Sequence, residues 1–465
     1  MTTKTSLQTL LTSAGLLCLT TAAMADHQLA PDNMGWADIN QTINAARDGD
    51  TIWLTPGNYR ETIRATEDAD CKTLRIVGSG KDPSETVLQA GCQRHHFGSW
   101  NLPRGDELHY TFENITFAGH ECSLRYPDRD GLLISKANVE FINCRFVSIQ
   151  SLYLDDVDQD PGEYDTFGAI FLDSSTARFD HCEFYDNGLA FNRLTDYTVK
   201  SQGGAICSYN SNVTINDSDF EANYAITRGH ATENATTVSR ASGGAIYAFK
   251  GRLYIDNTRF HENEAGSYPS QVQPDQIQGG AISAINLDRL VVRRCDFEHN
   301  QAVWGGGAFE GPRGYGGAIY IDYWETFPFN GPGRNYLSDN RFYWNETDFT
   351  GGAVYVTEEA VVKIKRCEFE CNTLEQVAGP WGDGGRNVFI EDCGPPCPAD
   401  LNDDGTVDKF DMYVIFSLWG KVKTYAQQEA DFNYDGKVDN RDLIIWTQMA
   451  SDCKKDDDQG NTYKK

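Results

Sequence analysis

The chain has 465 residues, with 40 basic and 68 acidic side chains, a formal charge of −28 and 13 cysteines. So large a surplus of acid argues against a nucleic-acid partner, which calls for clustered Lys and Arg to displace counterions, while 40% apolar and 12% aromatic residues supply a core that disordered acidic chains lack. The 43 glycines, 22 tyrosines and 24 phenylalanines favour turn-rich β structure over helical bundles.

Residues 1–25 read as an export signal: Lys4 is the basic start, Leu10 to Leu19 is mostly apolar, and Ala23-Met24-Ala25 is a small-x-small cleavage site before Asp26. The apolar run is shorter than the ~20 residues a membrane span needs, and nothing later resembles one. The expected mature chain is secreted, extracellular or at the cell surface. It loses Cys18 with the signal, and the even number of cysteines left is permitted to form disulfides. Next, Asp38 to Arg47 sets Ile39, Ile43 and Ala46 at helical spacing, with Gly49 as a stop signal. This predicts a helix that covers the open end of a coiled β structure, whose first coil begins at Thr51-Ile52-Trp53-Leu54 and the turn at Pro56-Gly57.

A repeat then runs along most of the chain. Its glycine half is Gly203-Gly204-Ala205-Ile206, Gly243-Gly244-Ala245-Ile246, Gly279-Gly280-Ala281-Ile282, Gly316-Gly317-Ala318-Ile319 and Gly351-Gly352-Ala353-Val354, with a degenerate Phe167-Gly168-Ala169-Ile170. Its second half is a Phe-x-x-Asn element at Phe117, Phe146, Phe184, Phe220, Phe260, Phe297, Phe342 and Phe369, at intervals of 27 to 45 residues, the Asn being replaced only at the first two. Such uneven spacing excludes helical solenoids of fixed repeat and suits a coil of constant cross-section with loops inserted at its corners. Val213/Ile215, Leu253/Ile255, Leu290/Val292 and Val362/Ile364 alternate as strands do, whereas Ser218/Phe220, Thr258/Phe260, Cys295/Phe297 and Cys367/Phe369 come after them with the count shifted by one. A shift of one changes faces in a straight strand, so the chain has to bend there. With a third strand at Gly-Gly-Ala-Ile, the expectation is a right-handed parallel β-helix of three short strands per turn. Equivalent positions stack ~4.8 Å apart in such a coil, and Asn187, Asn223, Asn263, Asn300, Asn345 and Asn372 are expected to form an amide ladder inside it.

The entry from Asp38 to Ile63, helix then Asp-Gly-Asp-Thr-Ile and Pro-Gly-x-Tyr, resembles that of pectate-lyase-like β-helices. The Gly-Gly-Ala-Ile and Phe-x-x-Asn alternation resembles the repeats of polymorphic outer-membrane proteins. Together they cover about residues 35 to 390 and imply a fold rather than an activity, because one coil carries lyases, hydrolases, esterases and adhesins. The membrane barrel that ends autotransporter-type members is not expected here.

After Gly394-Pro395-Pro396 come two 12-residue loops starting 31 positions apart. The first offers Asp400, Asn402, Asp404, Thr406, Asp408 and Asp411, the second Asp431, Asn433, Asp435, Lys437, Asp439 and Asp442, with Gly405 and Gly436 at position 6. Side-chain oxygens at positions 1, 3, 5, 9 and 12 and a carbonyl at 7, around a sharp Gly turn, suit Ca²⁺. Apolar helices come next at Phe410 to Trp419 and Leu443 to Met449, with none before each loop. This duplicated loop-then-helix, with Asp at position 12, resembles a type I dockerin over Asp400 to Ala450. The resemblance implies a calcium cofactor and a cohesin-like partner contacted at loop positions 10 and 11, here Lys409-Phe410 and Asn440-Arg441, which differ from the Ser/Thr-rich pairs of the best-known members.

The expected organisation is therefore a signal peptide at 1–25, a β-helix at 26–392, a linker at 393–399, a calcium-binding dockerin-like domain at 400–453 and a polar tail at 454–465. Cys144, Cys182, Cys295 and Cys367 stand two before the Phe, as stacked buried residues, with a Cys144–Cys182 bridge between consecutive coils within geometric reach. Cys397 and Cys453 flank the calcium loops and are expected to clasp their ends.

No catalytic residue is assigned. Arg125-Tyr126-Pro127-Asp128-Arg129 is one residue short of the Arg-x-Pro-x-x-Arg element of pectate lyases, and Asp155, Asp156, Asp158, Asp160, Glu163 and Asp165 form an acidic stretch open to a hard cation or to solvent. On the outward face of the Gly-Gly-Ala-Ile strands stand Phe171, Cys207, Tyr247, Ser283, Tyr320 and Tyr355, then Asp173, Tyr209, Phe249, Ile285, Asp322 and Thr357. Asp173 and Asp322, four coils and so ~19 Å apart, are too distant to act as a glycosidase pair, whereas the rings offer surfaces for sugars or for one another. Two functions are expected. One is a secreted calcium-binding modular protein that binds or degrades polysaccharide through the coil, as a lyase or hydrolase if an enzyme, and is tethered through the dockerin to a cohesin-like or cell-surface protein. The other is a non-catalytic adhesin or scaffold.

Overall fold

The computed structural model describes residues 26–64, 73–89, 97–98, 108–119, 131–153, 163–191, 198–227, 240–267, 276–304, 314–324, 335–390, 399, 401, 407, 409–421, 430–433 and 436–457. The chain divides into two compact units, Met1–Phe389 and Ile390–Lys465. The first is a parallel β-helix. Its Phe strands, from Gly57–Tyr59 to Val388–Ile390, form one sheet of 11 described strands. Phe146, Phe184, Phe220, Phe260, Phe297, Phe342 and Phe369 stack in it in register, with centroids 4.4 to 4.9 Å apart and rings 2 to 11° from parallel.

The bend required between the two inward pairs is a single left-handed residue. Asn143, His181, Asp217, Asn257, Arg294, Asp339 and Arg366 all have φ between 48° and 59° at this corner. A second such residue stands just before each ladder Asn, as at Asp186, Glu262 and His299. The ladder is continuous: each Nδ2 of Asn187, Asn223, Asn263, Asn300 and Asn345 donates to the next Oδ1 at 2.8 to 2.9 Å. The same amides also donate to a Phe carbonyl of the preceding coil, as Asn263 does to Phe220 at 2.9 Å. A buried amide is thereby satisfied on both sides.

The double glycine has two separate causes. Gly243 adopts φ 66°, which a side chain disfavours. Gly244 lies so close to the next coil that a Cβ would meet the carbonyl oxygen of Gly280. The same pair of demands recurs at Gly203-Gly204, Gly279-Gly280 and Gly316-Gly317.

The number of strands per turn departs from three. The Gly-Gly-Ala-Ile strand and its successor lie in one sheet and fuse into single 11-residue strands at Ile206–Asn216 and Ile246–Asp256. Beyond the Asn ladder two more strands leave and return, Tyr224–Thr227 and Arg240–Ser242 in one coil, building sheets of five and six described strands. These pieces are short, and their small Ala241 and Ala265 pack with Ile277 and Ala302 in a separate core. So few apolar residues gave no periodicity to read.

The capping helix spans Ile39–Ala45 and buries Ile39 and Ile43. Glu61, 4% exposed, accepts the backbone N–H groups of Ala37, Asp38 and Ile39, so a carboxylate from the first coil sits at the helix N-terminus. An additional strand, Asp26–Leu29, pairs in parallel with Thr51–Leu54 and extends the sheet beyond the expected first coil. Among the described residues no helix is long and apolar enough to cross a membrane.

In the second unit, helices Lys409–Ser417 and Asn440–Asp457 enclose Ala399, Ile415, Ala430, Val438, Trp446 and Ala450. Trp446 Nε1 donates to the Ala399 carbonyl at 2.7 Å, and Gly420–Lys421 pairs antiparallel with Lys437–Val438.

Candidate functional site

The outward face of the Gly-Gly-Ala-Ile strands does not stand alone. The returning strands, including Glu163–Phe167, Thr198–Gln202 and Gly314–Tyr315, make a wall beside it, and the two surfaces share an apolar cluster of Leu133, Phe167, Cys207, Tyr247, Ile285 and Tyr320. Tyr209 reaches across, its hydroxyl donating to Gln202 Oε1 at 2.6 Å. The result is a row of packed aromatic rings along the coil axis.

Within it the rings divide into two kinds. Tyr247 and Tyr320, expected on the outward face, are each only 6% exposed, so they form the floor and are closed to a stacking sugar. Tyr209, Phe249 and Tyr355 are half-buried, and Trp324 is 57% exposed. Phe249 bridges them, with centroids 5.7 Å from Tyr209 and 6.1 Å from Trp324. Burial and the adjacent Asp322 raise the Tyr320 pKa far above its ordinary value, and burial raises those of Tyr315 and Tyr355 as well, so all three stay neutral hydroxyls at physiological pH. The signal missed in the sequence is the residue before each double glycine: Gln202, Ser242, Gln278 and Tyr315 line the wall in successive coils.

The two carboxylates of this face are held by hydroxyls. Asp173 accepts from Ser135 at 3.3 Å and Ser174 at 3.0 Å, and Asp322 from Thr357 at 2.8 Å and Tyr320 at 3.2 Å. They belong to rows in register but to distant coils, through Asp173↔Tyr209↔Phe249↔Ile285↔Asp322. The structure therefore does not bring them together. Arg125 to Arg129, and Asp155, Asp156, Asp158 and Asp160, lie outside the described residues; Glu163 and Asp165 are described only as backbone of a strand.

The cysteine row corrects one expectation. Cys144 and Cys182 are free, buried thiols rather than a bridge. Each donates to a carbonyl of the preceding coil, Cys144 to Phe112 at 3.4 Å and Cys182 to Phe141 at 3.5 Å, which points both sulfurs the same way along the stack. Burial pushes the Cys144 thiol up to about 12, leaving it unreactive. Cys295 and Cys367 are likewise free, and Cys371 is disulfide-bonded. Cys397 lies outside the described residues, as does the Cys453 side chain.

Of the expected calcium ligands, Asp400, Asn402, Asp404, Thr406, Asp408 and Asp435 lie outside the described residues. The remainder show how the loops close. Both position-12 carboxylates, Asp411 and Asp442, are 0% exposed, and Asp431 at position 1 of the second loop is 4% exposed. Asp411 Oδ1 accepts the Leu401 N–H at 2.8 Å. Asp442 spans its own loop, Oδ1 accepting from Asn433 N at 3.2 Å and Oδ2 from Asp439 N at 2.8 Å. Asp431 Oδ2 accepts the N–H of Gly436, which stands at φ 82° in the position-6 turn. Among the described residues alone, no three carboxylates, imidazoles or thiols converge on a metal position. The donor chemistry nevertheless fits a hard cation: buried carboxylates are costly without compensating positive charge, and the loop is already folded around two of them.

Comparison with known proteins gives a family for each unit. Residues 104–393 match the right-handed beta helix region, and residues 398–448 match the dockerin type I domain. A metabotropic glutamate receptor-like protein R of Dictyostelium discoideum is 24% identical over 200 residues, 41% of this chain and 11% of that protein, so the chain spans about a tenth of that relative's length. The catalytic unit of a thermostable GH87 alpha-1,3-glucanase from Streptomyces thermodiastaticus is similar at TM-score 0.38 and 14% identity, covering 79% of this chain and 70% of that one. A GH87 alpha-1,3-glucanase catalytic domain in complex with tetrasaccharides gives TM-score 0.28 and 9% identity, covering 79% and 68%. The chain thus belongs to the right-handed beta helix family and carries a type I dockerin domain at its C-terminal end.

Proposed function

We propose that the protein is a secreted, calcium-binding modular protein whose coil holds polysaccharide along the aromatic row and whose dockerin tethers it to a cohesin-like or cell-surface protein. The observation that carries the glycan reading is the run of the half-buried Tyr209 and Phe249 and the exposed Trp324. Fixed rings with one open face suit the apolar faces of sugars. Binding is favoured over hydrolysis by the hydroxyl-held, widely separated Asp173 and Asp322. Tethering is supported by the first dockerin helix, where Tyr413, Phe416 and, just beyond it, Trp419 are exposed.

In the dockerin, Asp431, Asn433, Asp435, Asp439 and Asp442 with the Lys437 carbonyl would hold one calcium. Asp400, Asn402, Asp404, Asp408 and Asp411 with the Thr406 carbonyl would hold the other. The ions supply the positive charge that the buried carboxylates require.

The test is retention of the intact protein on a panel of insoluble and gel-embedded polysaccharides, with a reducing-end assay run beside it. Retention without new reducing ends, weakened by the double change Phe249→Ala and Trp324→Ala, is expected. Retention on none of the panel, or undiminished retention of the double variant, removes the row as the site. New reducing ends would replace binding by degradation.

A further inference from the structure

Two outward faces of the coil meet along the left-handed corner at Asn257, Arg294, Asp339 and Arg366. One belongs to the strands Ile246–Asp256, Arg289–Arg293, Asn335–Ser338 and Val362–Lys365. The other belongs to the Phe strands Arg259–His261, Asp296–Glu298, Arg341–Tyr343 and Glu368–Glu370. Like charges side by side in a sheet repel, and much of the charge on both faces is paired within the coil: Arg259 with Asp219, Arg366 with Asp339, Arg341 with Glu370. What is left over has opposite sign on the two faces. On the first, Lys363 and Lys365 are exposed and make no ion pair among the described residues, and Arg293 and Arg294 share one carboxylate oxygen, Asp256 Oδ2. On the Phe face, Asp296 and Glu368 are exposed and likewise make none among the described residues. Further carboxylates border the first face, Asp288, Glu358 and Glu359 before its strands and Asp383 in the coil after the last, none of them in an ion pair with these lysines.

The surpluses also share a spacing. Register runs Arg293↔Ser338↔Lys365 on the first face and Asp296↔Arg341↔Glu368 on the second. Each surplus therefore recurs two coils on, about 9.6 Å at strand spacing. Arg293 lies in the same coil as Asp296, and Lys365 in the same coil as Glu368. Two copies laid side by side, parallel and level, set Arg293 against Asp296 and Lys365 against Glu368. A slip of one coil either way sets a cation against Arg341 or Arg259 instead. Tyr336, 38% exposed, and Val361, 56% exposed, add apolar surface to the first face.

We propose that these two faces recognise each other on neighbouring copies of the chain, which associate side by side, parallel and in register. The proposal does not depend on the glycan reading. Each copy offers one face of each kind, so the contact is heterologous and continues from copy to copy. The net charge of −28 opposes association, but at physiological salt its reach is about 8 Å, and the facing rows decide the contact. Exposed ion pairs contribute little singly, so the association is weak and depends on the whole set being in register.

Sedimentation velocity of the full-length protein with Ca²⁺ present tests this. The weight-average sedimentation coefficient should rise with concentration toward about 1 mM, the weak end of the affinity range. Lys363→Glu with Lys365→Glu should abolish the rise, as should Asp296→Lys with Glu368→Lys, because each double change gives a copy two faces of one sign. Glu368→Lys alone serves if the second double variant does not fold. An equimolar mixture of the two kinds of variant should restore the rise, since every contact between unlike copies is then of opposite sign, and a folding defect cannot be repaired in this way. Lys81→Glu with Lys136→Glu, the same change of charge elsewhere on the coil, should leave the rise in place. The proposal is overturned by no rise in the unaltered protein, by a rise that survives either kind of variant, by a mixture that fails to restore it, or by an equal loss in the Lys81 and Lys136 variant.

Discussion

The two units bury polar groups in opposite ways. Along its repeats the coil buries neutral ones that satisfy each other, with the carboxylates of Asp50 and Glu61 buried only near its capped end: asparagines in a ladder whose amides bond the next rung and a backbone carbonyl, beside a stack of phenylalanines. The dockerin buries three carboxylates, Asp411, Asp431 and Asp442, each of which accepts backbone N–H groups. A neutral amide ladder is complete within the chain, whereas buried carboxylates need a counter-charge from outside it. On the calcium reading proposed above, the dockerin depends on an ion that the coil does not need.

The largest expected effect comes from that difference. In the full-length protein, EGTA should abolish the dockerin's own unfolding transition in calorimetry and leave that of the coil in place, because metal binding supplies folding free energy only where the site is part of the fold. Added Ca²⁺ should restore it, and Mg²⁺, with its tighter octahedral demand, should do so poorly. Asp442→Ala should reproduce much of the loss. An unchanged pair of transitions in EGTA would remove calcium from the account.

Within the coil the effects are smaller and depend on burial. Phe260→Ala or Phe297→Ala removes a fully buried stacked ring and should cost about 3 to 5 kcal/mol by denaturant titration. Tyr320→Ala, in the floor of the aromatic row, should cost nearly as much. Trp324→Ala, at the exposed rim, should change stability by less than about 0.5 kcal/mol. Similar losses at all of these positions would mean that the division between floor and rim is wrong.

Legibility followed the same division. The coil was readable because every turn repeats the same demands: Gly243 for its φ, Gly244 for the carbonyl above it, Phe260 and Asn263 for the stack and ladder. The dockerin was readable because its 12-residue loop pattern occurs twice with the same spacing. Features that occur once left no pattern: Glu61 capping the helix from 22 residues away, or the short strand Asp26–Leu29. The wall strands were lost for a different reason. Their alternation is only two or three residues long and their core is mostly alanine, so Tyr247 and Tyr320 were placed on an open face that Gln202 and Tyr315 in fact help to close. The Cys144–Cys182 bridge failed on direction rather than distance, since identical backbone conformations in successive coils aim identical side chains in parallel.

The smallest expected effect tests a charged cluster on the surface of the coil. On the outer face of the Phe strands, His261 Nε2 lies 3.2 Å from Glu262 and Nδ1 3.6 Å from Glu298 of the next coil. Burial alone would lower the imidazole pKa, but the contact with Glu262 and the charge of Glu262 and Glu298 outweigh it and push His261 up to about 10. Burial raises Glu262, yet the His261 contact leaves it below its ordinary value, and the same contact lowers Glu298. A raised His261 contributes stability in full below its unfolded value of ~6.5, and that contribution fades as pH rises toward 10. The two lowered carboxylates contribute above ~4.5 and lose their share in more acid solution. All three therefore contribute in full together between about pH 4.5 and 6.5. His261→Gln should destabilise the coil most in that window, and the gap from the unaltered protein in urea titration should narrow steadily toward pH 10. A gap that stays constant with pH would show that His261 contributes packing alone.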